Sequence, residues 1–284
     1  MDSANATDVA FFDINDDVQV TEVPPQDIIS TTVALVSALA NIFMIWIVLK
    51  HVDLRTRSNL YLVNCCICNF AIMLLIPVSL NLFGMTDELS YECMCLWEES
   101  LYGMHFGNLL FALILLLDWY FVTHVRRHIL IICAAWLLIL SVSTASVSFC
   151  IFSLSYPVGL LGTAITFLIL GISVILIHLL RIIKIVLLKQ KEGSKTGLII
   201  ITAYFLCWLP NTVLIYGQGY FRFSIDIMVE HLTLILAYSQ AWIMLILLFV
   251  CDKPFRMYVR KIFGCEARNI SPENADKEQN VVLL

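Results

Sequence analysis

Among the amides within apolar stretches of the chain are Asn41, Asn69, Asn108 and Gln240. Hydrocarbon offers no water to satisfy an amide, so each is set to hydrogen-bond with a neighbouring helix, a contact worth about 0.6 to 2 kcal/mol in peptide and mutational systems. A carboxylate, Asp118, opens the triplet Asp118-Trp119-Tyr120 at the end of another apolar stretch. It needs a cation, and the adjacent indole supplies one neutral N–H in place of a charged fork, which leaves Arg57, Arg126 and Arg127 as candidate partners. Cys93, Cys95 and Cys150 flank apolar stretches and are open to disulfide chemistry, whereas Cys65, Cys66, Cys68, Cys133, Cys207 and Cys251 read as small apolar packing residues. The Cys-x-Cys of Cys93 and Cys95 has no His or Cys cluster near enough to complete a zinc site. His-Glu-x-x-His, Gly-x-Ser-x-Gly and a phosphate loop are all missing, so the chain reads as no enzyme, with no metal, cofactor or nucleic-acid partner.

The elements that must position these residues follow from composition. Of 284 residues 60% are hydrophobic and 14% charged, and the mean hydropathy is +0.89. Those values exclude an ordinary water-soluble domain. Seven stretches reach the roughly 20 apolar residues a transmembrane helix needs. They cover residues 28–49, 59–83, 95–119, 128–149, 158–188, 196–216 and 228–250. The expected fold is an all-α membrane protein, a seven-transmembrane helix bundle with a short amphipathic membrane-surface helix. Four segments follow: an acidic tail over 1–27, the transmembrane domain over 28–251, the surface helix over 252–265 and a polar, disordered tail over 266–284. On the surface helix Phe255, Tyr258, Val259, Ile262 and Phe263 share a face against Arg256, Arg260 and Lys261.

Charge sets the expected orientation. Sixteen of the 17 Lys and Arg fall on the side away from the N-terminus, and Arg222 alone on the other. The N-terminus is therefore expected outside a plasma membrane and the C-terminus in the cytoplasm. The tail has no basic n-region, so the first helix is the expected insertion signal. The outer side also holds 14 of the 22 acids, including Asp87, Glu88, Glu92, Glu98 and Glu99. An electronegative outer surface favours a cationic or basic peptide ligand. Asn5-Ala-Thr7 is the outward glycosylation sequon and Cys265 a palmitoylation candidate. Lys184, Lys189, Lys191 and Lys195 border a short inner loop suited to anionic lipid headgroups or a transducer.

A further pattern runs through the helices in order. The first has Ala40-Asn41; the second has Asn59-Leu-Tyr-Leu-Val-Asn64, then Asn69 and Pro77; the third ends in Asp118-Trp119-Tyr120. The fourth has Trp136, the sixth Tyr204-Phe-Leu-Cys207-Trp208-Leu-Pro210, and the surface helix opens Phe255-Arg256. From about residue 28 to 265 the chain resembles the rhodopsin-like G-protein-coupled receptors, of a divergent orphan or virus-encoded type. Asn69 stands where that family has Asp and Trp119 where it has Arg. The stretch 243–247 keeps nothing of Asn-Pro-x-x-Tyr, the fifth helix lacks its proline and the loop over 150–157 is short. No Lys stands between 228 and 250, so a retinal Schiff base has nothing to form on.

The resemblance implies that Asn41, Asn69 and Asn108 meet Gln240 in mid-bundle, with sodium regulation lost because Asn69 carries no charge. It implies a switch built from these residues with Asp118, Trp119, Tyr120, Tyr204, Trp208 and Pro210. A bridge from the third helix to Cys150 is implied too; spacing leaves Cys93 and Cys95 both open as partner, with Cys95 preferred. Helical spacing and resemblance together place an outward pocket on Trp97, Glu98, Tyr102, His105 and Phe106, on Trp208, Asn211, Ile215 and Gln218, and on Glu230, His231, Thr233 and Tyr238. The implied activity is binding of an extracellular ligand and signalling to a heterotrimeric G protein. A non-signalling decoy is the alternative, and a small transporter a remote one.

Overall fold

The structure, a computed structural model, describes residues 25–79, 90–121, 128–152, 158–188, 196–221 and 226–264, with the side chains of some helix-end residues outside that description. Nine α-helices are present among them and no strand: α1 (Pro25–Lys50), α2 (Arg57–Ser79), α3 (Tyr91–Phe121), α4 (His128–Ile151), α5 (Val158–Leu188), α6 (Thr196–Phe221), α7 (Ile227–Tyr238), α8 (Gln240–Cys251) and α9 (Lys253–Ile262). Seven spans, α7 and α8 together making the last, are long and apolar enough to cross a membrane. This is the build of a multi-pass membrane protein. Its outward-facing apolar side chains agree, because α5 leaves Leu168, Ile172 and Ile175 more than half exposed, a face suited to lipid and not to water.

Two boundaries differ from the sequence expectation in ways that matter. Helix α3 starts at Tyr91 and not at 95, because Ser90 caps it: the Cys93 N–H donates to Ser90 Oγ at 3.4 Å. The extra turn adds Tyr91, Glu92, Cys93 and Met94 to the helix ahead of Trp97, Glu98 and Glu99. The seventh span, expected as one helix, is interrupted at Ser239. There the Ser37 hydroxyl of α1 donates to the Tyr238 carbonyl, and the Ser239 hydroxyl turns back to the Ile235 carbonyl at 2.7 Å. Side-chain hydroxyls that compete for carbonyls perturb a helix ladder. The interruption is slight, since Ser239 itself keeps helical angles of φ −65° and ψ −15°.

Helix α3 is the axis of the bundle and packs against α2, α4, α5 and α6. Its close fit to α4 depends on Gly103 and Gly107. A Cβ at Gly103 would lie 1.9 Å from Ser143 Oγ, and one at Gly107 would lie 2.8 Å from Ile139 Cδ1. Small residues four apart let two membrane helices approach this closely.

Helix α9 is capped by Asp252, whose carboxylate accepts the Phe255 N–H at 2.8 Å, and the turn after it closes at Gly264, which takes the left-handed φ of +67°. Phe255 and Val259 are buried and Tyr258 and Ile262 partly so, but Phe263 is exposed. Phe263 belongs to the turn after the helix, which is why it leaves the expected shared face.

Candidate functional site

A cavity of about 160 Å³ lies between α3, α5, α6 and α7. Helical spacing of three and four residues carries its walls. Helix α3 contributes Leu101, Tyr102, His105 and Leu109; α5 contributes Thr163 and Phe167; α6 contributes Tyr204, Trp208, Asn211 and Thr212; α7 contributes Leu234 and Tyr238. Pro210 stands inside α6, where it removes the backbone bond to the Leu206 carbonyl within the turns that line the cavity. The His105 ring meets Trp208 edge-on, with centroids 4.7 Å apart, and fixes α3 against α6 at this level.

Five of the residues expected in the ligand set line this cavity: Tyr102, His105, Trp208, Asn211 and Tyr238. The others are placed elsewhere. Trp97 donates its indole N–H to the Leu75 carbonyl at 3.2 Å and so joins α3 to α2. Glu98 is exposed, Glu230 is partly buried in the first turn of α7, and the Thr233 hydroxyl donates to the Glu230 carbonyl at 2.8 Å. Phe106 belongs to the packed core and His231 does not line the cavity. Ile215 and Gln218 lie on α6 with side chains outside the described residues. The acidic residues thus stand outside the cavity, and none of its twelve lining residues is Asp, Glu, Lys or Arg. Thr163 and Phe167 of α5 were missed; their i, i+4 spacing puts them on one face, but Thr166, Ser173 and His178 on the same helix leave that face unmarked in the sequence.

The bridge joins Cys95 to Cys150, with Cα atoms 5.6 Å apart, while Cys93 is free and exposed. Tyr91 reinforces that end by donating its hydroxyl to the Cys150 carbonyl at 2.9 Å. Of the cysteines read as packing residues, Cys65, Cys66, Cys68 and Cys207 are buried, but Cys133 is exposed on α4 and Cys251 is intermediate. A thiol is apolar enough for a lipid-facing position as well as a core.

The amides Asn41, Asn69, Asn108 and Gln240 are all buried, yet no amide–amide bond joins them. Asn41 Nδ2 donates to the Ser37 carbonyl at 2.9 Å, and Asn108 Oδ1 accepts from the Cys65 thiol at 2.7 Å. Gln240 Nε2 turns to the Met244 sulfur. Asn69 makes no hydrogen bond to protein through either polar atom. The partners of these amides are thus a backbone carbonyl one turn back, a thiol and a thioether, and not one another. A further amide also spans helices: the Trp136 indole donates to Asn64 Oδ1 at 2.7 Å and ties α4 to α2.

At the other end of α3 the three candidate partners of Asp118 reduce to one among the described residues. Arg57 Nε lies 2.6 Å from Asp118 Oδ1, and the Ser58 hydroxyl donates to Oδ2 at 2.9 Å. Arg126 and Arg127 lie outside the described residues, and Trp119 and Tyr120 lie on α3 with side chains outside them. Tyr204 is buried in α6, where it also lines the cavity. Below α1, the Tyr258 hydroxyl of α9 donates to Asp53, and its ring stacks on His51 at 4.2 Å. The carboxylate beside it, helped by partial burial, pushes the Tyr258 phenol up to about 12. Asn5, Cys265, Lys189, Lys191 and Lys195 lie outside the described residues, as does the side chain of Lys184.

In the comparisons with known proteins, neither a family model nor a curated protein matches the chain.

Proposed function

We propose that the chain is a plasma-membrane receptor of the rhodopsin-like G-protein-coupled kind, with its N-terminus outside and its C-terminus in the cytoplasm. It binds an extracellular ligand and passes the signal to a heterotrimeric G protein through an atypical switch at Asp118-Trp119-Tyr120. The observation that carries this reading is that one helix holds both ends of such a device. Helix α3 walls the cavity from Leu101 to Leu109 and, nine residues on, roughly 14 Å along an α-helix, presents Asp118 to the Arg57–Ser58 pair of α2. A ligand that favours one arrangement of α3 against α6 biases the clamp as well. The acidic outer side draws cations toward the cavity mouth, and the basic inner stretch meets anionic lipid headgroups or the transducer. Ligand-stimulated nucleotide exchange on a G protein is the test.

The second reading is a decoy receptor that binds without signalling. It is favoured by Trp119, which cannot make the charged contact an Arg would. A transporter has less support, because the interruption at Ser239 spans one residue with helical angles and unwinds no backbone for an ion.

A further inference from the structure

The lining of the cavity narrows what it can hold, and this step rests on its being the ligand site of the receptor proposed above. Size comes first. About 160 Å³ is close to the roughly 150 Å³ of an engineered apolar cavity that admits benzene, so the space itself takes one small ring, and a peptide could enter it with a single side chain only. Charge comes second. With no Asp, Glu, Lys or Arg in the lining, a bound carboxylate would shed its water with nothing to replace it, and an ammonium would have aromatic faces in place of a counter-ion. Glu98 and Glu230 are not among the lining residues, and Glu98, one turn before Tyr102, is exposed to solvent that screens it.

The walls say what remains. Tyr102, His105, Phe167, Tyr204, Trp208 and Tyr238 present aromatic surface from four helices, and His105 with Trp208 already adopts the edge-to-face geometry that a further ring would extend. Asn211 lines the same space with an amide that can both donate and accept. We infer that the cavity takes an uncharged, single-ring aromatic molecule carrying one hydrogen-bonding substituent. The acidic outer surface then governs approach, and the cavity governs selection against charge.

The test uses the full chain purified into nanodiscs, with p-cresol as the probe and tyramine as the same ring bearing an ammonium group, followed by saturation-transfer NMR and competition. Two variants separate site binding from simple partition into lipid: Leu234→Trp, which fills the cavity from α7, and Asn211→Leu, which removes the polar anchor without adding bulk. Saturable p-cresol binding, lost in Leu234→Trp, weakened in Asn211→Leu and at least about tenfold tighter than tyramine, is the expected result. Tyramine binding as tight as p-cresol, or p-cresol uptake unchanged in both variants, overturns the inference. Nucleotide exchange driven by a basic peptide in a chain that ignores p-cresol would defeat this inference alone. Selective p-cresol binding without exchange in any condition would sustain it and defeat the receptor reading.

Discussion

Arg57, in the first turn of α2, holds the carboxylate of Asp118, near the far end of α3, with Nε 2.6 Å from Oδ1. Asp118 is only 7% exposed, and the Ser58 hydroxyl occupies its second oxygen. The carboxylate that an Arg next in sequence would otherwise occupy is thus tied to another helix.

Breaking that tie should be costly in one direction only. Arg57→Gln leaves a buried charge with, among the described residues, the Ser58 hydroxyl for company and is expected to cost about 3 kcal/mol, the low end for a buried pair because Arg57 keeps 27% exposure. The paired change Arg57→Met with Asp118→Leu removes both charges and should restore most of the loss. Thermal unfolding of the purified variants reads both, and equal midpoints for Arg57→Gln and the native chain would show that the clamp bears no load.

How much of this was open to sequence reasoning depended on whether a feature is local. The seven spans, the amphipathic stretch of α9 and the shortlist for Asp118 follow from composition, periodicity and charge, all of which act within a turn or along one span. The interruption at Ser239 does not, because the hydroxyl that takes the Tyr238 carbonyl comes from Ser37, about two hundred residues away in sequence. The cavity was half legible for the same reason. Tyr102, His105, Trp208, Asn211 and Tyr238 share faces that spacing identifies, whereas Trp97 turns to the Leu75 carbonyl and Glu230 is not among the lining residues. Thr163 and Phe167 enter only because of how α5 leans on α3, an angle that sequence does not state.

Two asparagines on α2 should respond in opposite ways. Asn64→Leu removes the acceptor for the Trp136 indole and should cost about 1 to 3 kcal/mol. Asn69→Leu removes an amide with no protein partner and should be neutral or slightly stabilising. Unfolding midpoints of the two variants side by side settle it; a larger loss at Asn69 would mean its amide is satisfied after all.

The disulfide assignment separates neighbouring thiols. Cys150→Ser and Cys95→Ser should each lower stability by about 2 to 4 kcal/mol, while Cys93→Ser should leave it unchanged. Peptide mapping without reductant should recover Cys95 linked to Cys150, and a Cys93-linked peptide would refute the pairing.

The docking of α9 carries a pH signature. Tyr258 has its phenol raised from 10.0 to about 12 by Asp53, so its protonated form is favoured in the folded chain. For a raised value the stabilisation is complete below pH 10 and is lost as pH climbs toward 12. The phenolate absorbance difference between the native chain and Tyr258→Phe should emerge near pH 12; emergence near pH 10 would mean the contact is absent.

The central claim is that α3 couples the cavity to a transducer, and nucleotide exchange measures it most directly. The native chain and Trp119→Arg, each reconstituted with heterotrimeric G protein, are compared for basal exchange and exchange stimulated by a ligand library. The account predicts exchange above an empty-nanodisc control from the native chain and a changed rate in Trp119→Arg. Exchange from Trp119→Arg alone would replace the signalling receptor with a decoy, and no exchange from either chain with any ligand would contradict the account.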